Sequence, residues 1–167
     1  VGVSAEDDFN FSAAKNNRRL IQQAFGATLT HGLLHAPYAM RRSVAYDLDK
    51  AFADEVNRTA ASQLRDHTDV SIASSLHHYY GYLTGRSVQG GIRMSYVNTG
   101  DPREHPQLTQ ILVTRGYDAF CLNDTHHGEL GETEQIRVVA GFLESYFPVA
   151  SQFERGSARN RAIRSTA

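Results

Sequence analysis

Residues 87–124, "SVQGGIRMSYVNTGDPREHPQLTQILVTRGYDAFCLND", combine the patterns of a strand, a helix and a second strand, and they decide the fold class. Ile92, Met94 and Tyr96 alternate as in a strand with one buried face, and the glycine pair before them suggests a turn or bulge. The segment "PQLTQILVTRG" predicts a short helix, and "YDAFCLND" predicts a buried strand with a polar end. These residues therefore predict an α/β protein.

The flanking sequence is predicted to be mostly helical, because apolar residues recur there at the spacing of one helix face. One helix covers "SAAKNNRRLIQQAF", with Ser12 as its N-cap and Gly26 at its end. A second is expected to begin at Pro37, whose fixed φ suits the first helical position. A third follows Asp69. A last helix, roughly Glu132 to Tyr146, is expected to bury Ile136, Val139, Ala140 and Leu143. The protein is therefore predicted to be a helix-rich α/β protein.

Length and charge narrow the class of protein. A chain of 167 residues with 41% hydrophobic and 21% charged residues is long enough to bury one globular core. Residues 1–154 carry 18 acidic and 13 basic side chains, so the charge does not indicate a nucleic-acid-binding surface. The remaining four arginines lie in residues 155–167, a small polar segment that is predicted to be a disordered tail.

Cysteine content and hydropathy exclude two further features. Cys121 is the sole cysteine of the sequence, so no internal disulfide can form, and its apolar neighbours predict a buried thiol. No run of about 18 apolar residues occurs, so no membrane segment is predicted. Because the chain lacks an initiator methionine, we expect it to be part of a longer protein.

His35 lies at the predicted mouth of the second helix. Pro37 disfavours the α conformation at Ala36, which places His35 just outside that helix. Unpaired N–H groups at a helix N-terminus favour an anion, and Arg41 and Arg42 follow within the first two turns. This corner suits a phosphate, but a capping or packing role would explain His35 equally well.

Four further polar residues lie at predicted element boundaries. Arg65 offers the planar donor fork that binds phosphate. Asp69 is explained first as the N-cap of the third helix and second as a functional carboxylate. Asn123 and Asp124 end an apolar strand, where α/β sheets bind ligands, and their hard oxygens suit a magnesium ion shared with substrate phosphates. An Asx turn would explain this pair equally well.

These motifs, in this order, resemble the Stealth family of sugar-phosphate transferases, which includes bacterial capsule polymerases and the Golgi enzyme that tags lysosomal hydrolases. The resemblance runs from about Ala14 to Glu154, through "AAKNNRRLIQQAFG", "HAPYAMRRSV", "TAASQLRDHTDVSIASSLHHYYGYLTGR", "FCLND" and "FLESYFPVASQFE". It implies that residues 1–154 are the carboxy-terminal part of a nucleotide-sugar-binding α/β catalytic domain and that residues 155–167 are a tail.

The resemblance also implies a reaction and its residues. A hexose-1-phosphate passes from a nucleotide-diphosphate sugar to an acceptor sugar hydroxyl, and a nucleoside monophosphate is released. His35 matches the family's catalytic histidine in an H-x-P motif, Arg65 matches the arginine that follows it, and Asp69 matches another family position. Asn123 and Asp124 match the fourth conserved block, near the divalent metal, Mg²⁺ or Mn²⁺.

The implied partners are the nucleotide-sugar donor, the glycan acceptor and the upstream half of the same domain. The implied location is the bacterial cytoplasm, and no nucleic-acid partner is expected. The family's first two blocks, a "YTWVD"-like strand and an "NDD"-like acidic segment, have no counterpart in this sequence. Two interpretations stay open, a part of a longer enzyme that is inactive alone and a non-catalytic helical interaction module. A metal-dependent phosphoesterase would use the same residue types, but acidic ligand clusters are sparse.

Overall fold

The computed structural model describes residues 2–30, 32–33, 35–124 and 129–153, which form two compact units, Val1–Ile92 and Arg93–Ala167. Among its described residues the first unit has four α-helices: α1 (Phe9–Phe25), α2 (Arg42–Ala51), α3 (Ala53–Ala61) and α4 (His77–Leu83). The described part of the second unit has two strands and two α-helices in the order β1 (Met94–Asn98), α5 (His105–Thr114), β2 (Ala119–Asn123) and α6 (Glu132–Tyr146). The predicted tail, residues 155–167, lies outside the described residues.

Helix α1 begins one turn earlier than predicted. The Asp8 carboxylate accepts hydrogen bonds from two first-turn N–H groups, at 2.7 and 3.0 Å, and is therefore the N-cap. The prediction that Ser12 caps the helix is wrong, because Ser12 lies buried within α1 with its hydroxyl 2.9 Å from Nδ1 of His67. The predicted end is confirmed: Gly26 has a φ of 64°, the left-handed conformation that glycine adopts readily.

Helix α2 begins at Arg42, so the predicted start at Pro37 is wrong. The residue before Pro37 is an alanine, which has no side-chain oxygen to cap a helix. The intervening segment is not helical, and in it the Tyr38 ring packs against His78, with 4.7 Å between the ring centroids. His35 therefore lies seven residues before α2 and not at its mouth.

The helix predicted to follow Asp69 corresponds to α4, and a π-helical turn, Ile72–Leu76, leads into it. The N-cap of this turn is Ser71, so the prediction that Asp69 caps the helix is wrong. The buried side chain of Asn17 in α1 binds both backbone groups of Ser71, at 2.8 Å to the carbonyl and 3.1 Å from the N–H. This distant amide determines where the helix starts, and Asp69 instead accepts a hydrogen bond from the N–H of Asp66.

Each unit has its own hydrophobic cluster, whereas the length argument anticipates one core. In the first unit, side chains from α1, α2 and α4 meet, and the buried members are Leu20, Ile21, Leu48, Phe52, Val70, Leu76 and Tyr79. In the second unit, α5 and α6 pack on β1, and the buried members are Val97, Leu108, Ile111 and Phe142. Burial of this apolar surface, at about 25 cal/mol per Å², is the main favourable term in the stability of each unit.

Strands β1 and β2 pair in parallel, with Met94 opposite Ala119 and Asn98 opposite Asn123. Parallel neighbours need a crossover connection, and α5 provides it. The strand, helix and strand predicted for residues 87–124 are therefore confirmed, and so is the helix-rich α/β class. The parallel arrangement brings the carboxyl ends of both strands to the same edge.

The buried face of β1 is not the one that carries Met94 and Tyr96. Ser95 and Val97 are the buried residues of this strand, whereas Tyr96 is 39% exposed and Ile92 is exposed just before it. The reason is that α5 and α6 cover the face that carries Val97, and the alternation alone does not say which face a helix will cover.

Helix α6 has the predicted bounds, but its buried face differs from the prediction. Phe142 is buried, and Val138, Leu143 and Tyr146 pack partly buried beside it, whereas Ile136 is 61% exposed and Ala140 is exposed. The aromatic rings decide the rotation of the helix, because Phe120 of β2 packs edge-on against both Phe142 and Tyr146.

Two smaller predictions concern Cys121 and the membrane. Cys121 in β2 is half-buried, so the fully buried thiol predicted from its neighbours is wrong: in this strand every residue keeps partial exposure. Across the described ranges, the helices are too short or too polar to cross a bilayer.

Candidate active site

His35 belongs to the first unit and lies in the non-helical segment that precedes α2. Its side chain is exposed. An exposed imidazole is accessible to a substrate hydroxyl. The helix start that the sequence places beside His35 lies instead at Arg41 and Arg42.

Arg65 lies in the segment between α3 and the π-helical turn and is exposed. No hydrogen bond or ion pair engages its guanidinium within the part of the chain that the structure describes. The nearby Arg58, by contrast, donates to the backbone carbonyl of Thr68 at 2.9 Å. The donor fork of Arg65 is therefore available to an anion, whereas that of Arg58 supports the chain.

A tight turn follows Arg65 directly. The N–H of Asp66 donates to Oδ2 of Asp69 at 2.8 Å, and the N–H of Asp69 donates to the Asp66 carbonyl at 3.1 Å. The Thr68 hydroxyl and N–H also bond the Asp66 carboxylate, which lowers the pKa of Asp66. Arg65 and Asp69, both described, form no ion pair. Asp69 instead stabilises the turn that follows Arg65, through its hydrogen bond from the N–H of Asp66.

Asp69 has one feature that the turn does not explain. Its Oδ1 atom is buried and has no hydrogen-bond partner among the described residues. Buried acceptors of this kind are few in folded proteins and each requires an explanation. Oδ2 of Asp69 therefore has a structural role in the turn, whereas the described structure gives no role to Oδ1.

We expect Asp69→Asn in a full-length, active protein to preserve both the fold and most of the turnover, because the amide oxygen can still accept the hydrogen bond from the N–H of Asp66. Asp69→Ala removes that acceptor and is expected to lower the free energy of unfolding by about 1 kcal/mol. Urea unfolding and turnover of the two variants check this. A folded Asp69→Asn variant that is almost inactive would show that the charge of Asp69 takes part in the chemistry.

The carboxyl ends of β1 and β2 carry amide side chains that bond to each other. The Nδ2 group of Asn123 donates to Oδ1 of Asn98 at 2.9 Å, and the two residues are partners in the strand register. Because the side-chain nitrogen of Asn123 is engaged in this way, its Oδ1 atom remains an acceptor. Asn123 ends β2 and Asp124 follows it, so both lie at the edge where α/β sheets generally bind ligands.

Asp124 follows β2 and is linked to α6. Its Oδ1 atom accepts a hydrogen bond from Nε2 of Gln135 at 2.9 Å, and the same nitrogen lies 2.7 Å from Oγ1 of Thr99. Sequence reasoning did not single out Thr99 or Gln135. The two strands end in similar sequences, Val-Asn-Thr and Leu-Asn-Asp, and this similarity could have identified Thr99.

The loop after β1 is held by charged side chains. Glu104 accepts a hydrogen bond from the N–H of Asn98 at 2.6 Å, and Arg103 pairs with Asp101 at 2.7 Å. The hydrogen bonds from Arg103 lower the pKa of Asp101 to about 2. Asp101 is therefore ionised at neutral pH and bound to its own neighbour, which makes it a structural carboxylate.

The oxygens at this strand end suit a divalent cation in kind but not in number. Asn123 Oδ1 and Asp124 Oδ2 are hard donors of the type that Mg²⁺ prefers. The described residues contain no group of three or more His, Cys, Asp or Glu side chains that could hold a metal ion. An octahedral shell around Mg²⁺ would therefore need further ligands, such as substrate phosphates or water.

The predicted site residues fall into two sets. The first unit contains His35, Arg65 and Asp69, and the second contains Asn123 and Asp124. Arg65 directly precedes the turn that Asp69 closes, and Asn123 and Asp124 lie at one strand end.

Comparison with known proteins assigns both sets to one family. Residues 34–82 match Stealth protein CR3, conserved region 3, and residues 109–164 match Stealth protein CR4, conserved region 4. The first match includes His35, Arg65 and Asp69, and the second includes the strand end at Asn123 and Asp124.

Bacterial relatives give the same assignment. An exopolysaccharide phosphotransferase of Streptomyces coelicolor is 48% identical over 150 residues, which are 90% of this chain and 16% of that protein. One of Nocardia farcinica is 42% identical over 151 residues, 90% of this chain and 30% of the relative. One of Mycobacterium tuberculosis, CpsY, is 38% identical over 145 residues, 86% of this chain and 27% of the relative. The chain thus spans less than a third of the length of these relatives, and with conserved regions 3 and 4 in order it belongs to the Stealth family.

Proposed function

We propose that the protein is the carboxy-terminal part of a sugar-phosphate transferase. It moves a hexose-1-phosphate from a nucleotide-diphosphate sugar to a hydroxyl of an acceptor glycan, in the synthesis of an exopolysaccharide or capsule. One observation carries the proposal: conserved regions 3 and 4 occur in order, with an exposed histidine and an unpaired arginine in the first. The names of the relatives support it.

The reaction breaks the bond between the two phosphates of the donor. The acceptor oxygen forms a new bond to the sugar-bearing phosphorus, and the nucleoside monophosphate leaves with the electron pair of the broken P–O bond. His35 takes the proton of the attacking hydroxyl. Arg65 donates its fork to the phosphoryl oxygens, where negative charge concentrates. Asp69 positions Arg65 through the turn that it closes.

A divalent cation, Mg²⁺ or Mn²⁺, would neutralise the charge of the diphosphate. Asp124 and Asn123 are the residues that would hold it, through Oδ2 and Oδ1 respectively. Gln135 orients the Asp124 carboxylate by its bond to Oδ1, and Asn98 orients the Asn123 amide. These two contacts leave the remaining oxygens as ligands.

We further propose that an upstream segment of a longer chain completes the site. Within the described residues the sheet has only β1 and β2, so each strand has one edge without a neighbour. Parallel sheets in α/β proteins are normally larger and covered on both faces. Additional strands would extend this sheet and bring the acidic ligands that the cation lacks. We place the enzyme in the cytoplasm, where its nucleotide-sugar donor is made.

We expect the 167-residue chain alone to bind a uridine-diphosphate sugar weakly in the presence of Mg²⁺ and to release no nucleoside monophosphate. The reason is that Asn123 and Asp124 supply two metal ligands and Arg65 supplies one phosphate fork, with no base-and-ribose pocket apparent from the sequence. Calorimetric titration and an assay of nucleoside monophosphate release measure this. A longer chain that includes the upstream segment is expected to gain both properties.

Two outcomes would contradict this account in different ways. Micromolar binding with turnover from the 167-residue chain alone would mean that the active site has been placed wrongly. A longer chain that folds but releases no nucleoside monophosphate from any nucleotide sugar would reject the transferase and support a helical interaction module.

A further inference from the structure

A pocket of about 330 Å³ lies in the first unit, between the start of α2 and helix α4. None of the five candidate site residues discussed above lines it. Its polar wall consists of Arg41, His77, His78, Arg86 and Ser87. Two guanidinium groups on one small concave surface point to an anionic ligand.

The positive charge of this pocket is only partly neutralised. Within the described residues no hydrogen bond or ion pair engages the Arg41 guanidinium. Arg86 donates through Nη1 to Asp47 at 2.5 Å and through Nε to Thr84 at 3.2 Å, so its Nη2 group remains available. Burial, and then the neighbouring imidazole, lower the pKa of His78, so this side chain adds no charge at neutral pH. One net positive charge remains.

The N-terminus of α2 reaches the same pocket. Arg41 is the N-cap of this ten-residue helix, and it makes no side-chain capping bond. The pocket is lined by Arg41 and by Val44 of the first turn, so it lies beside this helix N-terminus, where the helix dipole favours negative charge. A guanidinium and a helix N-terminus thus occur together, the combination found in phosphate sites.

His77 provides an independent indication that the pocket takes a ligand. This side chain is only 4% exposed and lines the pocket. Its Nε2 lies 3.1 Å from the Arg41 carbonyl, which can only accept, so Nε2 donates this hydrogen bond. Among the described residues Nδ1 has no hydrogen-bond partner. A hydroxyl group of a ligand would satisfy it.

We propose that this pocket binds a phosphorylated sugar, at a place distinct from the reacting phosphate at His35 and Arg65. The guanidinium groups of Arg41 and Arg86 bind the phosphate, while Nδ1 of His77 pairs with a sugar hydroxyl. The apolar part of the wall, which includes Val44, contacts the sugar ring. The volume lies at the small end of ligand pockets, which suits a hexose phosphate and excludes a whole nucleotide sugar.

Binding alone tests the proposal, without nucleotide, metal or turnover. The protein is titrated by calorimetry and by amide NMR with glucose 1-phosphate, with inorganic phosphate and with glucose. We expect glucose 1-phosphate to bind and to shift the amide resonances of Arg42 and Ser43, with inorganic phosphate about tenfold weaker and glucose without effect. The natural ligand could be a free sugar phosphate or a phosphodiester within a glycan, and a methyl phosphodiester of glucose distinguishes them. If it binds as tightly as glucose 1-phosphate, the ligand is a glycan phosphodiester; if it binds more weakly, the ligand is a free sugar phosphate.

Two variants and one matched control locate the site. Arg41→Gln is expected to weaken glucose 1-phosphate binding about tenfold. Arg42→Gln removes the same charge one residue away, but that guanidinium bonds the Tyr46 hydroxyl at 2.6 and 3.0 Å, so binding should be unchanged. Gly81→Ala changes no charge and should also weaken binding, because the new Cβ would lie 3.0 Å from Oγ of Ser87 and narrow the pocket.

Equal losses in Arg41→Gln and Arg42→Gln would overturn the proposal, since they would indicate general surface attraction. Absence of glucose 1-phosphate binding by the unaltered protein would overturn it as well. The transferase proposal would stand in either case, because it depends on His35 and Arg65. Conversely, a longer chain that includes the upstream segment, folds, has no transferase activity and still binds glucose 1-phosphate through Arg41 would support the pocket and reject the transferase.

Discussion

His35→Ala in the full-length enzyme is expected to lower turnover by a factor of about 10² or more while the protein remains folded. The reason is that the acceptor hydroxyl must lose its proton as it attacks phosphorus, and the variant has no group to receive it. The side chain is exposed, so its removal should leave the hydrophobic cluster of the first unit intact. Release of nucleoside monophosphate at saturating donor, with the thermal unfolding midpoint, measures both effects.

His35→Gln separates proton transfer from packing. Glutamine keeps a polar side chain of similar reach but does not accept a proton at neutral pH, so this variant should be as slow as His35→Ala. If turnover recovers with glutamine, His35 acts by hydrogen bonding or packing. If either variant unfolds, a structural role has been overlooked.

Arg65→Gln in the full-length enzyme is expected to reduce kcat/KM by about 10² to 10³, the usual cost of removing a charged donor to a phosphoryl group. The guanidinium has no partner within the described residues and would lose only its contacts to substrate. Arg65→Lys should recover a small part of the activity, because an ammonium keeps the charge but not the two-pronged geometry. Steady-state kinetics with a nucleotide-sugar donor, alongside urea unfolding, provides the measurement.

Arg19→Gln is the matched control for Arg65. Arg19 lies on α1 in the same unit, and its guanidinium donates to the side chain of Gln23 at 3.3 Å on the protein surface. The substitution removes the same charge, so general electrostatic attraction of the donor would be weakened equally in both variants. Similar kinetics for the two would contradict a specific phosphate contact at Arg65.

Helix and strand type were largely predictable from the sequence because they depend on neighbours along the chain. Helix α6 has the predicted bounds, and Gly26 ends α1 as predicted. The strand, helix and strand of residues 87–124 were found from their periodicities. These patterns recur within one or two turns, so no distant contact is needed to read them.

Helix starts were less predictable, in one case because of a nearby residue and in another because of a distant one. The N-cap of α1 is Asp8, four residues before the predicted Ser12. The π-helical turn before α4 begins where Asn17 binds the backbone of Ser71, 54 residues away. Such a contact forms only after two helices have packed, and the spacing of residues around Asp69 contains no trace of it.

The amino-acid sequence determined the fold class, the family and the residue types of the candidate site, since each is recorded in short motifs and local periodicity. Tertiary packing decided what those residues contact. Arg41 and Arg42 are adjacent in sequence, yet one lines a pocket and the other bonds Tyr46. The pairing of His77 with the Arg41 carbonyl spans 36 residues. Because neighbouring side chains on a helix leave it in different directions, only the packing of α2 against α4 selects which arginine faces the pocket.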